Sequence, residues 1–494
     1  MIIDRIKNWS YEHKMFILFL VLHFIVWSCI GLIRTVLPTD SLEGIYWGYL
    51  HDFGTPKHPP LAGWLTYLTY LPFKTDYSIY ALSQAFIIIG FIFIYKLGRL
   101  FLNETQSMLS VIFMESCWVY TYITGYYGFN PDVILLMILP VITYVFYQCM
   151  YRNKPIDWIK LGVLVGICFL NKYQTGMIVI SMAIWAFIYN KNTFKNKYFY
   201  LSMIIAFLIF LPHILWLIKY DFFPFLYFDG ELTSPHWYNH ITAPLKFFVV
   251  QLSVIGGILA FFGLTKLISK SPFKLRENFD KKDAGFLLIM GLVPIALHLI
   301  MGAVEGGNMR PRWGFEFWYM FSILLFYFFP TEITKKEFNF GLKCGYFAMI
   351  VTFIALGTLL AVEKNYRSRY PVAQIYGDLT KAWKETTDKP MKYIGGYIEW
   401  TLPLTIYAPT HPDCILDTFG YKNPWIDEND LKKTGILIFD RTPEEVTKQT
   451  FKSCPYLPED YVVNPVEYQF TVKNAFGQER EYTIYYFIVP QMAE

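Results

Sequence analysis

The sequence predicts an α-helical polytopic membrane protein with a small α/β domain at its C-terminal end. Three observations predict it. Of 494 residues, 54% are hydrophobic and only 17% charged, where a soluble domain carries about 25% charge. Aromatic residues make up 20%, and Trp and Tyr gather where an apolar body and a polar tip are both satisfied, at a membrane interface. The last 130 or so residues have neither long apolar runs nor that charge poverty, and read as roughly one small domain.

A span needs about 20 mostly apolar residues. Such runs fall near 15–33, 77–95, 106–124, 132–150, 156–171, 174–190, 199–218, 245–268, 284–303, 314–330 and 343–362. The expectation is thus about eleven spans, within a range of eleven to thirteen. The first run is too long for a cleaved signal peptide, and no small-residue cleavage site follows it. Residues 61–72 are apolar but short and bounded by Pro60 and Pro72, which suits an interfacial or half-buried helix.

Positive charge sets the expected orientation, because Lys and Arg accumulate on the cytoplasmic side. Arg5, Lys7 and Lys14 assign the N-terminus to the inside. Alternate loops then hold Lys96 and Arg99; Arg152, Lys154 and Lys160; Lys191, Lys195 and Lys197; a run from Lys266 to Lys282; and Lys335, Lys336 and Lys343. The opposite loops carry far fewer. This places residues 363–494 outside, beyond a membrane domain of residues 1–362. In the outer part, residues 435–439 and 482–489 are β-rich.

Several function classes are excluded or unsupported. A net charge of +4 argues against nucleic acid. Seven cysteines show no CxxC and no His/Cys metal spacing; five lie in apolar runs as small core residues. Cys414 and Cys454 lie in the outer part, where an oxidising compartment would permit a disulfide between them. No internal repeat or low-complexity tract is visible. A secondary transporter would show repeats and midplane polar sites.

Ionisable groups are costly in a membrane. Within the runs they are chiefly His23, Glu115 and His298, and Glu115 reads either as a polar-pathway group or as a partnered glutamate between helices. The outer loops are richer. Asp40 and Glu43, if helical, share one face a turn apart, in a segment whose Tyr46, Trp47 and Tyr49 suit the headgroup level; the alternative for Asp40 is helix capping. Lys57 and His58 precede Pro59 and Pro60, which fix the backbone and hold both residues where they can grip a lipid phosphate. Asp132 opens a long run after a loop containing Tyr127, and it too has a capping alternative. Lys172 and Tyr173 occupy a very short loop, where the lysine snorkels or binds an anion. Arg310 and Arg312 run against the positive-inside trend, a hint of phosphate recognition.

These features resemble the GT-C membrane glycosyltransferases over about residues 10–330. The acidic pair Asp40/Glu43, the His-Pro-Pro-Leu turn from His58, the Asn-Pro-Asp ending at Asp132, and the run Gly162, Gly166, Leu170, Lys172, Tyr173 carry the likeness. So does Pro212-His213-Ile214-Leu215-Trp216 ahead of Asp221-Phe222-Phe223-Pro224. The nearest group is the bacterial aminoarabinose transferase-like enzymes, which are similar to protein O-mannosyltransferases (families 39 and 83). The resemblance implies a polyprenyl-phosphate-sugar donor, transfer at the periplasmic face of the inner membrane, and a glycan, lipid or protein acceptor. It assigns Asp40 as the base, with Glu43 one turn on, Asp132 as the second acid, and His58 and Lys172 to the donor phosphate, to which the loop readings add Lys57, Arg310 and Arg312. Tyr46, Tyr127 and Tyr173 would line the substrate. The acid that relatives place before their phosphate-binding lysine is absent, since Lys57 stands there. The residues call for no cofactor and leave a divalent metal open. The outer domain is expected to be accessory.

Overall fold

The computed structural model describes residues 9–225, 236–307, 309–416, 423 and 425–491. The chain divides into two compact units, one of residues 1–30, 53–62 and 77–356, the other of 31–52, 63–76 and 357–494. The single boundary expected near 362 therefore gives way to a division in which two early segments join the C-terminal part.

Seven helices among the described residues are long and apolar enough to cross a membrane. They are Tyr11–Ile33, Asp76–Phe101, Pro131–Arg152, Lys197–Lys219, Asn239–Ile268, Lys281–Glu305 and Lys335–Val362. This is a multi-pass membrane protein. The other four apolar runs take shorter or broken forms. Pro155–Phe169 and Thr175–Tyr189 have 15 residues each, about 22 Å of helix against a hydrocarbon layer of about 30 Å. The run at 106–124 becomes the helix Glu104–Ile112, a 3₁₀ turn, extended backbone at Cys117 and a π-helical turn at Val119–Ile123. The run at 314–330 splits into a 3₁₀ helix, Pro311–Met320, and the helix Phe321–Phe328.

Burial ranks the long helices of this unit. Pro131–Arg152 has 72% of its apolar window buried and Lys197–Lys219 only 22%, so the first is central and the second peripheral. Pro155–Phe169 lies along Lys197–Lys219 through small residues. A Cβ on Gly162 would stand 2.5 Å from the Ser202 carbonyl oxygen, and one on Gly166 2.8 Å from Ile209 Cβ. The glycine spacing that carries part of the family likeness is thus a close-packed helix contact. Glu115 is partnered: its carboxylate accepts from Trp27 Nε1 at 2.8 Å and lies 2.6 Å from His23 Nδ1. His298 Nδ1 is 2.7 Å from the Pro294 carbonyl.

The second unit is built on a five-stranded sheet, β1 (Tyr393–Gly396), β2 (Asp413–Leu416), β3 (Ile436–Asp440), β4 (Val466–Lys473) and β5 (Glu479–Val489). The order is β2-β1-β3-β5-β4. β2, β1 and β3 are parallel, with Ile394 beside both Cys414 and Leu437, while β5 and β4 run antiparallel. β3 is buried at every position, as a central parallel strand requires. The apolar core gathers Ile436, Ile438, Val446, Leu457 and Val489. Cys414 and Cys454 are both buried and free. The expected disulfide is absent: Cys454 packs within the apolar core, while the backbone of Cys414 is bonded to Tyr46.

Two early helices belong to this unit. Thr39–Tyr49 and Leu61–Phe73 approach so closely that a Cβ on Gly48 would meet the Gly63 carbonyl oxygen at 2.2 Å. Tyr407 receives the Leu37 N–H at 2.9 Å and donates to the Asp76 carboxylate, 2.9 Å from each oxygen.

Candidate active site

The site begins with how one helix starts. Asn130 has extended backbone and caps Pro131–Arg152, its side-chain oxygen accepting from the N–H of Asp132 at 2.9 Å and of Val133 at 3.3 Å. Pro131 takes the first helical position, where a missing N–H costs nothing. With Asn130 capping, the Asp132 carboxylate is released from the role its position suggests. It receives Lys172 Nζ on one oxygen and Arg312 Nε and Nη2, each at 2.9 Å, on the other. Asp132 is 3% exposed and Lys172 8%, so this is a buried, charge-assisted network.

Each partner is positioned by its own loop. Lys172 sits in the turn between Pro155–Phe169 and Thr175–Tyr189. Its backbone N–H bonds the Cys168 carbonyl at 3.0 Å and its carbonyl accepts from Thr175 Oγ1 at 2.7 Å. Asn171 Nδ2 donates to the Pro131 carbonyl at 2.9 Å, tying that turn to the start of the Asp132 helix. Arg312 opens the 3₁₀ helix, which is braced by Gln174 on the Trp313 carbonyl (3.1 Å) and Gln251 on the Pro311 carbonyl (2.8 Å). The Arg312 guanidinium lies 5.2 Å from the Tyr127 ring centre, a cation–π contact.

Glu316, four residues on, is 1% exposed, with Oε1 3.8 Å from Lys172 Nζ. Sequence reasoning passed over it because residues 314–330 read as one apolar span. The available signal is that it is the lone acid in the run Trp313 to Met320, and intramembrane acids are functional candidates.

His58 faces the same cations. Thr55 shapes its turn, accepting from the His58 N–H at 2.9 Å and donating to its carbonyl at 2.8 Å. The Leu61 N–H bonds the Leu170 carbonyl at 3.0 Å, joining this loop to the Lys172 turn. Burial, then the positive charges of Lys172, Lys57 and Arg312, push the imidazole down to about 3. The ring is therefore neutral and does not bring the charge expected of it. Lys57 and Arg310 are half-buried nearby in sequence, but the ion pairs to Asp132 come from Lys172 and Arg312. Tyr173 donates to His213 Nε2 at 2.8 Å, while His213 Nδ1 sits 2.6 Å from the Phe53 carbonyl. Because a carbonyl only accepts, Nδ1 carries the imidazole proton. Tyr173 thus holds the loop at 53–58 in place.

The remaining expected residues lie in the second unit. Asp40 is half-buried at the second position of Thr39–Tyr49, whose N-cap is Pro38 with no side-chain bond. Capping is therefore not its role. Glu43 is 3% exposed one turn on. Tyr46 corrects the substrate-lining expectation: it is 1% exposed, donates to the Cys414 carbonyl and accepts from the Cys414 N–H, both at 3.2 Å. Among the described residues no three His, Cys, Asp or Glu side chains form a metal-holding group.

The fold thus pairs a helical membrane unit, with an acid–cation cluster at its helix ends, with a small α/β unit. Comparison with solved structures shows that fold in ArnT from Cupriavidus metallidurans bound to undecaprenyl phosphate, at a TM-score of 0.62 and 10% identity, covering 96% of this chain and 97% of that one. Residues 57–216 match the family described as dolichyl-phosphate-mannose-protein mannosyltransferase, a stretch that holds His58, Asp132 and Lys172. Lipid A galacturonosyltransferase RgtD from Rhizobium johnstonii (strain DSM 114642 / LMG 32736 / 3841) is 23% identical over 298 residues, 58% of this chain; the match spans 60% of that relative's length. The archaeal oligosaccharyltransferase AglB from Archaeoglobus fulgidus, in complex with an inhibitory peptide and a dolichol-phosphate, aligns at a TM-score of 0.46 and 11% identity, over 96% of this chain and 74% of that one.

Proposed function

We propose that the chain is an inverting glycosyltransferase that moves a sugar from a polyprenyl-phosphate-sugar donor to a hydroxyl of lipid A or another surface glycan or lipid, at the periplasmic face of the inner membrane. The observation that carries the reading is the buried Asp132–Lys172–Arg312 cluster. Two cations on one carboxylate leave positive charge for a phosphate. The undecaprenyl phosphate in the ArnT structure and the lipid A activity in the name of RgtD support the donor and acceptor classes.

In this reading the anomeric carbon–oxygen bond to the phosphate breaks as the acceptor oxygen attacks from the opposite face. Lys172 and Arg312 neutralise the departing phosphate. The acceptor proton goes to a carboxylate, and the resemblance assigns that base to Asp40. One direct displacement inverts the anomeric centre. Asp40→Asn keeps shape and removes the base, so transfer should fall by about 10²–10⁴ with expression and donor binding retained. The measurement is turnover and binding for Asp40→Asn, with Glu43→Gln as neighbour control; near-normal turnover in Asp40→Asn would pass the base role to another acid.

The family match to protein mannosyltransferases favours a second reading, in which the acceptor is a secreted protein. Mass spectrometry of lipids, glycans and secreted proteins from a deletion strain separates the two by which class loses a sugar. For orientation, a reporter active only in the periplasm, fused after Glu494, should be active.

A further inference from the structure

Glu316 has a place in this site that the ion pairs do not explain. Its carboxyl is 1% exposed, and neither oxygen has a hydrogen-bond partner among the described residues. Lys172 is 3.8 Å away and already committed to Asp132. The groups facing Glu316 are Asp132, Lys172 and the Tyr120 phenol, with Arg312 and His58 reached through Asp132. A buried carboxylate without donors is costly, and beside a second carboxylate it is costlier, so one of the two holds a proton. Asp132 has two cations bonded to it and is the better anion. The proton belongs on Glu316, where it converts a buried acceptor without donors into a donor toward Asp132.

We propose that Glu316 is a positioning residue of the phosphate site, a neutral carboxylic acid whose hydroxyl supports Asp132. It thereby leaves the cluster with one net positive charge. With Asp132 negative, Lys172 and Arg312 positive and Glu316 neutral, these four groups keep one net positive charge for a phosphate, beside the further charge that Lys57 brings next to the neutral His58. An ionised Glu316 would cancel that charge and hold Lys172 back from the phosphate. The proposal rests on the phosphate-binding reading above.

The test combines infrared spectroscopy with binding of undecaprenyl phosphate to the full chain in detergent. At neutral pH the wild type should show a protonated-carboxyl C=O band, shifted in D₂O and missing from Glu316→Gln. Glu316→Gln, neutral and able to donate, should bind undecaprenyl phosphate within about threefold of wild type, whereas Glu316→Ala should lose about tenfold, the worth of a hydrogen bond to a charged partner. Absence of the band, or a tenfold loss in Glu316→Gln at unchanged thermal stability, would overturn the proposal. Failure of the wild type to bind undecaprenyl phosphate would instead sink the donor reading, and the infrared band would still report on Glu316.

Discussion

At His58 the ring is half-buried among Lys57, Lys172 and Arg312, and stays neutral. Its acidity in the folded protein, about 3, lies below the ordinary 6.5. As pH falls below about 6.5, the unfolded chain takes up this proton and the folded one does not. The contribution of His58 is therefore full above that value and is lost progressively down to about 3. His58→Gln should flatten the melting temperature against pH over this window, the wild type losing stability in acid that the variant keeps; parallel curves would show that other groups govern it. Arg312 sets a different expectation. Its two-pronged contact with Asp132 suits a guanidinium and not an ammonium. Arg312→Lys should raise the KM for donor about tenfold while the protein stays folded, measured by transfer kinetics beside thermal unfolding.

Among elements, the start of Pro131–Arg152 carries most of the site's geometry. Losing the Asn130 cap should cost about 1 kcal/mol, and because Asp132 sits within the capped turn, activity should fall by more than that stability loss explains. Asn130→Ala against Asn130→Asp tests this, since Asp caps as well as Asn; equal activity in both would detach the cap from the site. This turn also shows what the sequence made legible. Asp132, Lys172 and Arg312 were each visible as charges in short loops between apolar runs, and the structure brings these three together. Glu316 was hidden because hydropathy treats an aromatic run with one acid as a span. The capping readings of Asp40 and Asp132 failed for a local reason: Pro38 and Asn130, each two residues earlier, take the cap position. The long helices followed from apolar length. The 3₁₀ and π turns did not, since composition does not report where a helix breaks.

At the scale of the molecule, composition revealed a C-terminal part without long apolar runs but not the early segments that complete its unit. Helices Thr39–Tyr49 and Leu61–Phe73 look like membrane-surface elements in sequence, whereas polar contacts in and beside them run to residues beyond 400: Tyr46 of the first helix to Cys414, and Leu37 and Asp76, which flank the pair, to Tyr407. Truncation after Val362 should strand these buried polar groups, each costing about 1–3 kcal/mol when unmet. The shortened chain should then fail to yield a monodisperse peak on gel filtration in detergent. A well-behaved, folded truncation would show that the early helices stand without the sheet.

That three-segment construction has a consequence in time. Residues 31–52 and 63–76 leave the ribosome early, and the rest of their unit begins only at 357. At a synthesis rate of about 5–20 residues per second, the helix bearing Asp40 waits tens of seconds for β2. Until then Tyr46 has no strand to bond. The newborn chain therefore inserts its helices first and closes this unit last, so ribosome stalling or premature release would leave the early helices without their partners.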